Sequence, residues 1–187
     1  MPHRIFIAIN LPEKIKKDLL DYQSKWPNFP IRWTKKDSLH ITLIFIGYTP
    51  DEKLGEICRI TKEVVAQYRS FSIDLNKICY APPKKIPPRM IWAEGEKVKE
   101  LADLKQDLEK YLATIEVRLE LNNRDFHPHI TLGRIRTWQW KRIEPEERPD
   151  IEKDISLNFE VNSVEVMESQ LKRSGAKYNI LESAKLG

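Results

Sequence analysis

The sequence predicts an α+β protein built on antiparallel sheets and arranged as two similar halves that share one site. Three observations lead there. The elements alternate as strand, helix, strand, helix, strand, strand, helix, with strands often adjacent along the chain. Three helical stretches carry a single apolar stripe each. The tetrapeptide His-Ile-Thr-Leu occurs twice, at His40–Leu43 and at His129–Leu132, in a chain with only four histidines.

Taken in order, Ile5, Ile7 and Ile9 alternate with Phe6 and Ala8, so the first strand is apolar on both faces and should be central. Asn10-Leu11-Pro12 stops it, and Pro12 suits the first turn of a helix. Ile15, Leu19 and Tyr22 recur at helical spacing from Glu13 to about Lys25, before Pro27 and Pro30. Ile31-Arg32-Trp33 reads as a short extended piece, and Leu39 to Tyr48 as a strand closed by Gly47. Asp51 opens a second helix with Leu54, Ile57, Cys58, Thr61, Val64, Val65 and Tyr68 on one stripe. Phe71, Ile73 and Leu75 alternate in a strand expected to run on to Tyr80. Ala81 to Arg89 holds four prolines with Lys84, Lys85 and Arg89, and is expected to be an exposed basic loop. Met90 to Ala93 leaves it as a strand, and Val98, Leu101, Leu104, Leu108 and Leu112 mark the third helix.

Val117 to Leu121 alternates like an edge strand, and Asn122 to Asp125 reads as a turn. The second His-x-Thr strand runs from His129 to about Arg136. Thr137 to Asp154 is polar and reads as a loop or short helix. Ile155 to Met167 and Tyr178 to Lys185 are expected to be two strands joined around Gly175, giving roughly eight strands in all. With no linker-like break, residues 1–187 are expected to form a single domain.

The apolar fraction of 41% and charged fraction of 32% fit a globular chain able to bury a sizeable core. No apolar run approaches the ~18–20 residues of a membrane span, and the N-terminus lacks a secretion pattern, so a cytoplasmic location is the default. Cys58 and Cys79 form no Cys-x-x-Cys pair and read as buried apolar side chains. The net charge of +4 allows an anionic partner without demanding one.

In a strand, residues two apart share a face. His40 with Thr42, and His129 with Thr131, should therefore each present an imidazole and a hydroxyl on one side and anchor the strand with Ile and Leu on the other. One such strand is ordinary on a solvated sheet face; nothing in packing requires the same two polar residues in the same register twice. Two imidazoles suit acid–base work near neutral pH, one giving and one taking a proton. Two hydroxyls can donate hydrogen bonds to the non-bridging oxygens of a phosphate. Phosphoryl transfer of this kind needs no metal, because positioning and electrostatics carry it.

Further blocks accompany the repeat: Phe6-Ile7-Ala8-Ile9-Asn10-Leu11-Pro12, Trp33, Phe45-Ile46-Gly47, Pro88-Arg89-Met90-Ile91-Trp92, Phe126-x-Pro128 with Gly133-Arg134, and Glu168-Ser169-Gln170-Leu171 with Gly175 and Tyr178. Over nearly the whole chain these resemble the 2H phosphoesterases, in particular the bacterial and archaeal RNA 2′,3′-cyclic phosphodiesterases also called 2′-5′ RNA ligases. The resemblance implies a bilobal, pseudo-twofold fold with antiparallel sheets lining a central cleft and helices outside. It implies hydrolysis of RNA 2′,3′-cyclic phosphate ends to 2′-phosphates, with 2′-5′ joining of tRNA halves as a side reaction. It makes His40 the proton donor, His129 the proton acceptor, and Thr42 and Thr131 the phosphate-binding hydroxyls. No cofactor is implied; the partners expected are RNA with cyclic phosphate ends or cyclic nucleotides, no membrane, and a monomeric enzyme.

Other residues carry weaker signals. Arg89, Lys84 and Lys85 are candidate RNA contacts at the cleft mouth, and Trp33 a candidate base-stacking surface. Trp92 is expected in the core. Arg134 lies an odd number of residues from His129, so a regular strand turns it away from the site and only a bulge would bring it back; a structural ion pair is the simpler expectation. A rival reading, zinc or iron on His40, His127 and His129, lacks a His-x-x-x-His pair or Cys cluster and leaves the two threonines without a purpose. A non-catalytic RNA-binding module is the other rival.

Overall fold

The computed structural model describes residues 2–119, 126–172 and 175–187. Its organising feature is one sheet of nine strands, in the order β7-β4-β5-β6-β3-β1-β8-β9 with β2 beside β6, all pairings antiparallel. The strands are β1 (His3–Asn10), β2 (Ile31–Trp33), β3 (His40–Thr49), β4 (Phe71–Ala81), β5 (Met90–Gly95), β6 (His129–Ile135), β7 (Lys153–Val161), β8 (Ser163–Lys172) and β9 (Gly175–Lys185).

The order is symmetric about the β3/β6 seam. One side reads β3-β1-β8-β9 and the other β6-β5-β4-β7. The seam itself is a single bridge, Ile41 to Ile130. Each half thus puts its His-x-Thr strand innermost, flanked by the strand that precedes it across a helix.

The helices are α1 (Glu13–Gln23), α2 (Asp51–Val65), α3 (Lys99–Ala113) and the single turn α4 (Thr137–Trp140). Pro12 and Pro50 stand immediately before α1 and α2, where a missing N–H costs nothing. Asp51 and Glu52 lie in the first turn of α2, the end at which the helix dipole favours negative charge. Leu101, Leu104, Leu108 and Leu112 of α3 are buried, as the spacing predicts, and α3 packs on α2 and β3. Burial of each contributes roughly 1.5–3 kcal/mol.

One face of the sheet supplies the main core: Ile5, Ile7 and Ile9 of β1, Ile41 and Leu43 of β3, Ile130 and Leu132 of β6, under the helices. Phe6 and Ala8 project to the other face and form a second, small cluster with Met167 and Tyr178. The expectation that β1 is covered on both faces therefore holds.

Two expectations change. The stretch expected as one strand from Ile155 to Met167 is two, β7 and β8, with Asn162 between them; the chain turns there, and β7 joins one half while β8 joins the other. The polar segment from Thr137 is a loop with a short helix, as expected, and contains α4 and a 3-10 turn at Pro145–Glu147. Of the expected edge strand, residues 117–119 are irregular, and its remainder and the turn at 122–125 lie outside the described residues. Among the described residues no helix is long and apolar enough to cross a membrane.

Candidate active site

The single bridge at the seam decides what meets what. With Ile41 opposite Ile130 in an antiparallel pair, the flanking residues run in opposite order, so His40 faces Thr131 and Thr42 faces His129. Ile41 and Ile130 are buried in the core, so the four polar side chains stand on the other face, two from each half. The four residues that the sequence singles out are thereby brought together.

Both imidazoles are held in the same way. His40 donates Nδ1–H to the carbonyl of Ser38 (2.8 Å), two residues back, and His129 donates Nδ1–H to the carbonyl of His127 (2.9 Å), also two residues back. This leaves Nε2 on each ring for chemistry. On His40, Nε2 accepts the hydroxyl of Thr42 at 3.0 Å.

The rings are walled by aromatics. Phe6 and Tyr178 flank His40, with centroids 5.1 and 5.2 Å from it, and Trp92 stacks on His129 at 3.9 Å. Burial pushes the His40 imidazole down to about 4; its bond to the Ser38 carbonyl opposes this, and charge on His129 adds to it. Burial also lowers His129, against the bond to the His127 carbonyl and the neighbouring Glu94 carboxylate, while His127 pushes the same way as burial.

Each His-x-Thr strand carries a bulge at the same point. On β3 the ladder to β1 skips Leu43, with Ala8 opposite Thr42 and Ile7 opposite Ile44. On β6 the ladder to β5 skips Leu132, with Trp92 opposite Thr131 and Ile91 opposite Gly133. The extra residue places two consecutive side chains towards the core and returns the next one to the active face. That next residue is Phe45 on β3 and Arg134 on β6, both exposed.

Arg134 is the main correction. The bulge that a regular strand lacks is present, and among the described residues Arg134 makes no ion pair; its guanidinium reaches Met90 Sδ at 3.7 Å. Arg32 stands directly opposite it on β2. Two like charges in cross-strand register, with no carboxylate paired to either among the described residues, favour an anion on that surface.

Trp92 is also corrected, from core residue to a wall of the site against His129. Trp33 moves the other way. A Cβ on Gly133 would lie 2.9 Å from Trp33 Cε3 and 2.5 Å from Ile31 Cγ2, so Trp33 lies on the core side of β2 and packs against the main core. That placement does not suit the base contact the sequence suggests. Phe6 and Tyr178 entered the sequence pattern only as members of the blocks around the repeats, and Glu94 had no place in it beyond following the Trp92 strand.

Lys84, Lys85 and Arg89 are exposed, as expected of the proline-rich loop. Arg89 ties its neck at both sides, its N–H to the Ala81 carbonyl and its carbonyl to the Ile135 N–H, and so emerges next to Arg134. For the metal reading, His127 offers His129 its carbonyl and is itself exposed, and no group of three or more His, Cys, Asp or Glu is gathered for a metal among the described residues.

A two-sided antiparallel sheet with a duplicated His-x-Thr pair at its seam is a two-lobed phosphoesterase scaffold. The chain belongs to the LigT like Phosphoesterase family, whose model matches residues 9–92 and again 94–178, one match for each His-x-Thr strand. The RNA 2′,3′-cyclic phosphodiesterase of Methanocaldococcus jannaschii is 27% identical over 180 residues, covering 96% of this chain and 98% of the relative. That of Thermus thermophilus is 30% identical over 190 aligned residues, covering 98% and 90%. Among solved structures, TT0787 of Thermus thermophilus superimposes with a TM-score of 0.84 at 26% identity over 97% of each chain. Escherichia coli LigT in complex with 3′-AMP gives 0.79 at 24% identity over 100% and 99%, a likeness of fold.

Proposed function

We propose that the protein hydrolyses the 2′,3′-cyclic phosphate at the end of an RNA to a 2′-phosphate, using His40 and His129 as a metal-independent acid–base pair. The observation that carries this reading is the seam register, which sets each imidazole across from the other strand's threonine. The names of the relatives, RNA 2′,3′-cyclic phosphodiesterases, support the substrate class.

In this reading the cyclic phosphate lies over Ile41 and Ile130 with its non-bridging oxygens on Thr42 and Thr131. His129 Nε2 takes a proton from water as the new P–O bond forms. His40 Nε2, protonated when the anion arrives, gives its proton to the departing 3′ oxygen as the P–O3′ bond breaks. With a 5′-hydroxyl in place of water the same steps join a 2′-5′ linkage, and their reverse cleaves it, a minor reaction that would suit tRNA halves. Lys84, Lys85 and Arg89, with Arg32 and Arg134, would hold upstream phosphates. We read residues 1–187 as one monomeric domain of two lobes around one cleft.

The test is direct. Protein treated with EDTA is given a short RNA ending in 2′,3′-cyclic phosphate, and the product end is identified by its sensitivity to phosphatase and by mass. A 2′-phosphate is the expected product. Loss of turnover with EDTA and rescue by zinc would favour the metal reading, and binding without turnover the RNA-binding module.

A further inference from the structure

The pseudo-twofold makes the two histidines equivalent in backbone, yet a hydrolysis needs them to do opposite things. Something off the axis must tell them apart, and the residues directly opposite them in their own halves differ. His40 faces Asn10 across the β1–β3 ladder, and His129 faces Glu94 across the β5–β6 ladder.

The Glu94–His129 pair is of the close kind. The Gly95 N–H donates to the Pro128 carbonyl (3.0 Å), one residue beyond Glu94 and one before His129. In an antiparallel ladder that bond flanks a non-hydrogen-bonded pair, whose Cα atoms are about 4.5 Å apart and whose side chains share one face. Glu94 is half-buried and makes no ion pair among the described residues; Lys77, opposite it on β4, is bound to Glu152 at 2.9 Å. The Cys79 thiol beside it is pushed up to about 12, first by burial and then by Glu94, and stays protonated. The Glu94 carboxylate takes a hydrogen bond from that thiol and keeps its charge, which opposes the lowering of the His129 ring by burial.

At the equivalent point of the other half, Asn10 is neutral, exposed, and its Oδ1 accepts the Leu11 N–H at 3.0 Å. Tyr178 and Phe6 enclose His40 with apolar surface. The groups that face His129 are therefore Glu94 from β5, His127 from its own lead-in, and His40 and Thr42 across the seam; only Glu94 carries negative charge.

We propose that Glu94 is a positioning residue for His129: its carboxylate stabilises the imidazolium formed when His129 takes the proton of the attacking water, and the absence of a partner of this kind at Asn10 leaves His40 as the donor. The proposal rests on the two-histidine reading above. The proton passes from water to Nε2 of His129 while Nδ1–H stays on the His127 carbonyl, and it returns to solvent after product leaves. Glu94 exchanges no proton; it contributes a fixed charge across the strand, as a carboxylate does behind the histidine of a hydrolytic triad.

The test reads the rings themselves. Histidine ring resonances are titrated by NMR in the full-length protein and in Glu94→Gln, an isosteric change whose fold is checked by the backbone spectrum. His129 should titrate at lower pH in Glu94→Gln, with His40 nearly unmoved. The mirror variant, Asn10→Asp, should raise His40 and leave His129 in place. On a 2′,3′-cyclic-phosphate dinucleotide, kcat of Glu94→Gln should fall by about 10-fold, less than the ~10²–10⁴-fold loss expected when a catalytic imidazole is removed, and Glu94→Asp should recover part of it. An unchanged His129 titration in Glu94→Gln would overturn the proposal, as would a shift of His40 in its place. Absence of turnover in the unaltered protein would instead sink the hydrolase reading, and with it the catalytic half of this one, even if His129 titrates as expected.

Discussion

The burial of His40 has a consequence that needs no substrate. In the unfolded chain this imidazole titrates near 6.5, and in the folded protein near 4. Between those values the unfolded state binds the extra proton and the folded state does not, so stability rises with pH across that window and is lost as pH falls from about 6.5 to 4. The gap of about 2.5 pH units, at ~1.36 kcal/mol each, sets a ceiling of roughly 3 kcal/mol. His40 is half-buried and not fully enclosed, which brings the expected figure down to ~2 kcal/mol. Replacing His40 by Gln removes this proton while keeping a hydrogen-bonding side chain. Urea unfolding of both proteins, followed by tryptophan fluorescence at a series of pH values from about 7.5 to 4, measures the difference. The advantage of the unaltered protein over His40→Gln should shrink by ~2 kcal/mol across that range. Parallel stability curves would show that His40 is not held neutral, and the reasoning from its burial would fail.

Other expectations follow from the same geometry. Because burial lowers both imidazoles, kcat/KM should be bell-shaped with its maximum on the acid side of about pH 6.5, reporting the free enzyme; a profile flat from about pH 5 to 9 would count against the pair. Gly133→Ala would drive a methyl into Ile31 and Trp33 and lift β2 from β6, costing ~1–3 kcal/mol in thermal or urea unfolding and lowering activity through Thr131 and Arg134. Leu104→Ala, at a fully buried position of α3 far from the polar face, should cost ~2–5 kcal/mol in unfolding with little effect on kcat at temperatures where it stays folded. Arg134→Ala should weaken RNA binding and flatten its dependence on salt, since among the described residues that side chain has no carboxylate to release; unaltered salt dependence would place the anion elsewhere.

Much of this fold was legible because periodicity is local. The leucines of α3 and the alternation of β1 each bury a defined face whatever surrounds them, and both elements lie where the pattern puts them. The single long strand expected from Ile155 to Met167 is two: the apolar positions run Ile155, Leu157, Phe159 and Val161 and then change phase at Asn162-Ser163 to Val164 and Val166, and the sheet partners on either side show that the phase change is a turn. Trp92 was placed in the core by its apolar bulk, although β5 alternates regularly and turns it to the polar face; Arg134 was misjudged for another reason. Facing is read from sequence by counting in twos, and the bulges at Leu43 and Leu132 break the count without leaving a mark such as Gly in αL at the skipped residue.

The sequence by itself determined that two His-x-Thr strands would present two imidazoles and two hydroxyls, since strand geometry makes residues two apart share a face. It could not say how those strands meet. The tertiary structure decided that they meet at one bridge, Ile41 to Ile130, in antiparallel register, so that each histidine faces the other strand's threonine. It also decided what stands behind each ring, Asn10 and Glu94, Tyr178 and Trp92, because those neighbours come from segments distant in sequence. The physical reason is that a strand's pairing partner and bulges are set by the packing of the whole sheet, and the charge and burial felt by an imidazole are set by that partner.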